Sequence, residues 1–221
     1  MKNKRMLGTT LIIVMIILMG LSIAMIASVS FPKGYKDYKN NYYFVTKQII
    51  WFGFGTLAFW ITSKFKYTWY KKIKGYLYLI GAALLIAVLF SKEVNGARRW
   101  FTLGGFRMQP SELAKLIIII YLAGIIDYCE RKKINTQKFN FFMRQLIPLL
   151  VYVVLIIAEK AFSSTVQIAF IGMAMIFVSG VNIAQFLTLL LAAGFAGMIS
   201  IMSTPYRMKR FIGFKSPELN Y

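Results

Sequence analysis

From residue 7 to residue 29 the chain runs through 23 positions without a charged side chain. A bilayer core of about 30 Å is crossed by roughly 20 apolar residues in helical form, so this run alone commits the chain to a membrane. Six further apolar runs follow, at 48–63, 76–90, 113–126, 146–158, 163–181 and 184–202. Backbone in hydrocarbon must satisfy its own hydrogen bonds, and a segment that does so alone is a helix. The runs at 76–90 and 146–158 are short, and flanking aromatic, Lys and Arg side chains can extend them by snorkelling. The alternative for 146–158 is a re-entrant or buried segment. The expected fold is therefore all-α: a polytopic integral membrane protein of about seven transmembrane helices, forming one domain over 1–221.

Lys2, Lys4 and Arg5 precede the first run as they would in a secretory signal. The run is longer than a signal core and more spans follow, so it reads as an uncleaved anchor. Cys129 is the single cysteine and there is no histidine. An intrachain disulfide and a Cys-based metal site are excluded, and the commonest general base and metal ligand are missing. Any chemistry must run on carboxylates, Lys, Tyr or Ser. The net charge of +20 sits in the loops, which favours anionic membrane lipids as the partner and argues against nucleic acid. With a cytoplasmic N-terminus, Lys and Arg number 13 in inner loops and 12 in outer ones once Lys47 and Lys115 at helix edges are set aside. The positive-inside rule is close to silent on orientation.

The polar segment 91–112 feeds directly into the fourth apolar run. Pro110 suits the first helical position, where its missing N–H costs nothing. Gln109 is then a candidate cap, and Glu112 falls at the third position, near the positive end of the helix dipole. Lys115 lies three residues on, on the same face. A cap and local ion pair accounts for Glu112. A lysine one turn into an apolar helix must either snorkel or face a polar cavity. Arg98, Arg99 and Arg107, with Trp100 and Phe101, form a second cluster suited either to phosphate oxygens or to interfacial anchoring. Gly96, Gly104 and Gly105 are compatible with a tight loop. Lys47-Gln48 opens the second run as an interface anchor, and Glu159-Lys160 with Ser163-Ser164-Thr165 marks a tight turn between the fifth and sixth.

Gly96-Ala97-Arg98-Arg99-Trp100, then Leu103-Gly104, then Gln109-Pro110-Ser111-Glu112-Leu113-Ala114-Lys115 closely resembles the shared motif of the SEDS family, which comprises FtsW, RodA and SpoVE. Tyr43 to Trp51 is similar to the family's opening of the second span, and Tyr206 to Pro217 is similar to the start of its large extracytoplasmic loop, here 203–221. The resemblance covers essentially the whole chain, and the Ala-Arg-Arg-Trp form looks more like the division and sporulation branch.

The resemblance implies the N-terminal, C-terminally incomplete part of a ten-span fold in the bacterial plasma membrane, with the N-terminus cytoplasmic. It implies a peptidoglycan glycosyltransferase that polymerises lipid II during septal wall synthesis, beside a class B penicillin-binding protein and the divisome. Lys47, Arg98, Arg99, Trp100, Gln109, Ser111, Glu112 and Lys115 are then the substrate-binding residues. No cofactor is implied, and a divalent cation is left open. The family's catalytic Asp is expected beyond Tyr221, so no catalytic residue is assigned within this sequence and activity of this chain alone is not expected. The family's acid after the fifth span is also missing, since Lys160-Ala161-Phe162-Ser163-Ser164 stands there. Two other readings share the motif: a transporter that passes lipid II across the bilayer, and an inactive relative that binds division proteins.

Overall fold

The apolar runs fold into seven α-helices among the described residues. These are α1 (Lys2–Tyr38), α2 (Tyr43–Lys64), α3 (Tyr67–Val88), α4 (Pro110–Arg131), α5 (Phe139–Ala158), α6 (Phe162–Val178) and α7 (Ile183–Met202). The computed structural model describes residues 2–93, 97–103 and 106–202, with the side chains of 2–5, 7, 103, 106 and 201 left out. Gly96, Gly104, Gly105 and the segment 203–221 lie outside the described residues.

Helices α1, α2, α5 and α7 are long and apolar enough to cross a membrane. Helix α3 keeps Lys71, Lys72 and Lys74, α4 keeps both charged ends, and α6 has 17 residues. The segment 146–158 is the C-terminal part of a regular 20-residue helix, which excludes a re-entrant form. Three boundaries differ most from the apolar runs. Helix α1 continues through Pro32 to Tyr38, well past the end of its apolar run at residue 29. Helices α3 and α5 start nine and seven residues before their apolar runs, at Tyr67 and Phe139. Hydropathy marks where the lipid ends, and a helix stops only where its backbone loses its hydrogen-bond pattern.

The chain divides into two compact units, Met1–Lys66 and Tyr67–Tyr221. In the first, α1 and α2 form a helical hairpin. Tyr38 stacks on Tyr43 with centroids 3.7 Å apart, and Phe31 meets Tyr42 edge-on at 5.0 Å. Among the described residues neither helix buries a large apolar side chain, so Leu11, Ile16, Phe54 and Trp60 present apolar surface suited to lipid.

In the second unit α4 is central, packing against α3, α5 and α6. Leu85, Ile118, Leu122, Phe141, Tyr152, Ile156, Ile168 and Ile176 form its core. A stack of three tyrosines pins three helices together. Tyr78 lies 4.3 Å from Tyr121 and 4.8 Å from Tyr152, while the Tyr152 hydroxyl donates to the Tyr78 carbonyl at 2.8 Å. The Tyr78 hydroxyl in turn donates to the Pro148 carbonyl at 3.1 Å.

Small residues let membrane helices approach closely, and Gly172 does this between α5 and α6. Any Cβ there would overlap both Leu149 methyl carbons. Gly172→Val is expected to cost about 1–3 kcal/mol through overpacking, read as a lowered melting temperature in detergent, and Leu149→Ala in the same chain should restore part of it. Gly194→Val, placed where a Cβ meets nothing within 4 Å beyond its own helix backbone among the described residues, should leave the melting temperature unchanged.

Candidate functional site

A short antiparallel hairpin is the one addition to the all-α reading. β1 (Phe101–Leu103) pairs with β2 (Phe106–Met108), with Thr102 opposite Arg107. It leads through Gln109 into α4, where Pro110 takes the first turn as expected. The Gln109 backbone is extended and its carbonyl accepts from the Glu112 N–H at 3.1 Å, but its side chain does not cap the helix. Instead Gln109 Nε2 donates to Ser111 Oγ at 2.8 Å and to Ser164 Oγ, on α6, at 3.2 Å. The amide thus spends its donors on two side-chain hydroxyls, one in the first turn of α4 and one on a neighbouring helix. Ser111 is fully buried.

Lys115 faces inward. Its side chain is 18% exposed and its ammonium donates to both Glu112 oxygens at 2.9 Å. A third bond runs to Gln167 Oε1 on α6 at 2.7 Å. All three donors of the ammonium have acceptors, and the lysine does not snorkel. Glu112 is 58% exposed and closes the pair from outside.

The two arginines divide. Arg98 Nη1 donates to the Leu89 carbonyl at 3.1 Å, closing the end of α3, and its Nε lies 3.9 Å from Glu93. Arg99 donates through Nη2 to the Lys160 carbonyl in the α5–α6 turn. Lys160 itself has φ 58°, a left-handed conformation that closes the turn at a cost a glycine would avoid. Arg98 and Lys160 line a cavity of about 360 Å³ with Leu89, Glu93, Ala97 and Ala158. Trp100 is exposed. Lys47 belongs to the N-terminal unit, on α2, where its ammonium sits 4.6 Å from the Tyr43 ring centre.

Three residues of this region were not singled out as site residues by the sequence reading: Ser164, Gln167 and Glu159. Gln167 is a lone amide inside the apolar run 163–181, and that isolation was the available signal. Glu159 stands one residue before the segment in which the family's acid is missing. It is 0% exposed and neither carboxylate oxygen has a hydrogen-bond partner among the described residues. Burial pushes its pKa up to about 8, with the positive charge of Arg99 pulling the other way. A carboxyl group therefore does occupy this turn. Among the described residues no cluster of His, Cys, Asp or Glu could hold a metal ion.

The family model for the FtsW, RodA and SpoVE cell cycle proteins matches residues 9–221. The chain belongs to this family. Among its relatives, the probable peptidoglycan glycosyltransferase FtsW of Pseudoalteromonas translucida is 35% identical over 206 residues, covering 92% of this chain and 51% of that protein. The protein of the same description from Saccharophagus degradans is 35% identical over 217 residues, covering 96% and 55%. The chain thus spans about half the length of the curated relatives it matches. The fold is that of the Thermus thermophilus rod shape determining protein RodA, with a TM-score of 0.62 at 23% identity over 80% of this chain and 58% of that one. A chain from a structure described as a peptidoglycan synthase complex coordinating polymerization and crosslinking gives 0.63 at 23% identity, covering 90% and 59%. The chain is a multi-pass membrane protein of this fold.

Proposed function

We propose that the protein is a peptidoglycan glycosyltransferase that polymerises lipid II for septal wall synthesis. The observation that carries this reading is the inward-facing Lys115, held by Glu112 and Gln167 at the end of the bundle where Arg99 bonds the α5–α6 turn. A fixed cation at that place suits the charge that develops on a departing pyrophosphate. Arg98, Arg99 and Lys160 supply further positive charge along the same rim. Gln109, Ser111 and Ser164 hold the start of α4 against α6, which keeps Lys115 in place. Glu112 positions Lys115, whose ammonium both of its carboxylate oxygens hold. The acceptor hydroxyl then needs a carboxylate other than Glu112 as general base.

In this reading the N-terminus is cytoplasmic, the 91–112 loop faces outward, and the partners are a class B penicillin-binding protein and the divisome. Purified full-length protein, reconstituted with such a partner and given lipid II, is expected to release long glycan strands. Headgroup translocation without glycan product would overturn this assignment in favour of a transporter.

A further inference from the structure

A second concentration of charge lies at the opposite end of the five-helix unit. Helix α4 has 22 residues, which places its ends about 33 Å apart, so this cluster and the Lys115 region sit toward opposite membrane faces. Lys71 on α3 pairs with Asp127 on α4 at 2.5 Å, and Arg131 shares that carboxylate at 3.0 Å. One turn further into the bundle, Lys74 donates to the Gly124 carbonyl at 2.5 Å. It passes so close over α4 that any Cβ on Gly124 would overlap its Cδ. Beside it a cavity of about 270 Å³ opens between α3, α4 and α5, lined by Lys74, Tyr121, Ile125, Tyr128, Cys129 and Arg144.

The charges around this cavity do not balance. Asp127 is engaged by two cations, and Glu130, on the same helix, forms no ion pair among the described residues. Neither Lys74 nor Arg144 has a carboxylate within ion-pair distance among the described residues. Two cations from different helices, neither in an ion pair among the described residues, thus converge on one partly apolar cavity with two tyrosines. That donor set matches a phosphodiester anion, which Arg binds through two parallel hydrogen bonds and Lys as a point charge. Basic cavities between membrane helices at headgroup depth take anionic lipid headgroups. Ile125 and the tyrosine rings supply an apolar wall that a free phosphate would not use, and the volume is far too small for a pyrophosphate-linked disaccharide.

We infer that the cavity between Lys74 and Arg144 is a binding site for the phosphate of an anionic phospholipid, separate from the substrate region on the other face. This inference rests on the fold alone and does not depend on the glycosyltransferase reading. Native mass spectrometry of the purified protein in detergent, titrated with phosphatidylglycerol, is the test. One lipid should be retained in preference to phosphatidylcholine, and Arg144→Gln should weaken that retention about tenfold or more, the effect of losing a hydrogen bond to a charged group. Lys133→Gln removes a charge that does not line the cavity and should leave retention unchanged. Arg144 is exposed, so its replacement spares the core, and Lys74→Gln gives a second reading of the same site. Equal retention of phosphatidylcholine, or equal losses in Arg144→Gln and Lys133→Gln, would overturn the site. Competition by glycerol 1-phosphate at the same concentration as the lipid would overturn the lipid as its source and assign it to a soluble phosphoester.

Discussion

Lys115→Ala in the full-length protein is expected to lower glycan polymerisation by at least about a hundredfold, the effect of removing one preorganised electrostatic contact to a transition state. The substitution is cheap for the fold. Glu112 is 58% exposed, so its carboxylate turns to water once the lysine is gone, and an exposed pair of this kind is worth about 0–1 kcal/mol. Gln167 loses one acceptor bond, about 1 kcal/mol. The melting temperature should therefore move little while turnover collapses, and that split separates a role in transition-state binding from a role in packing. Glu112→Gln offers a graded comparison. It keeps a side-chain oxygen beside the ammonium and removes only the charge, so a loss of about tenfold is expected. Both rates are read from glycan product formed from lipid II in liposomes, with melting temperatures from the same preparations. Wild-type turnover in Lys115→Ala would reject the placement of Lys115 in the substrate site.

The spans were legible because hydrocarbon leaves a helix little choice, and each of the seven apolar runs lies largely within one observed helix. Helix ends were less legible. Lys71, Lys72 and Lys74 look like loop residues by charge, yet they are helical, because Lys71 and Lys74 find partners across the α3–α4 contact. The hairpin was invisible because its strands are three residues each, too short for an alternating pattern. Within the site, Pro110, Glu112 and Lys115 were readable because their interactions are local to one turn. The partners Ser164 and Gln167 were not. They lie 55 and 52 residues from Gln109 and Lys115, and no spacing rule connects a side chain to a neighbouring helix. The same gap hid Glu159, beside which the loop residue Arg99, 60 positions earlier, bonds the Lys160 carbonyl.

Glu159 makes the stability of this turn depend on pH. Its folded-state pKa is raised from 4.5 to about 8, burial being the larger cause and the charge of Arg99 opposing it. A raised carboxyl pKa favours the protonated form in the folded protein. Its contribution is then fully present below pH 4.5, falls as pH rises toward 8, and is gone above that. Over this interval wild-type protein in detergent should lose thermal stability on the order of a few kcal/mol. Glu159→Gln keeps the shape and cannot ionise, so its melting temperature should stay level across the same interval and exceed the wild-type value at pH 8.5. If ionised Glu159 were instead the preferred partner of Arg99, the order would reverse, with wild type the more stable above pH 8. The carboxylate has no other partner among the described residues, and Arg99 is already held by the Lys160 carbonyl. Ionisation would therefore leave an unpaired buried carboxylate beside the Arg99–Lys160 contact, loosening the turn where α5 meets α6. Polymerisation by Glu159→Gln should then decline less than wild type between pH 7 and pH 8.5. Parallel pH profiles for the two proteins would detach Glu159 from the Arg99 contact.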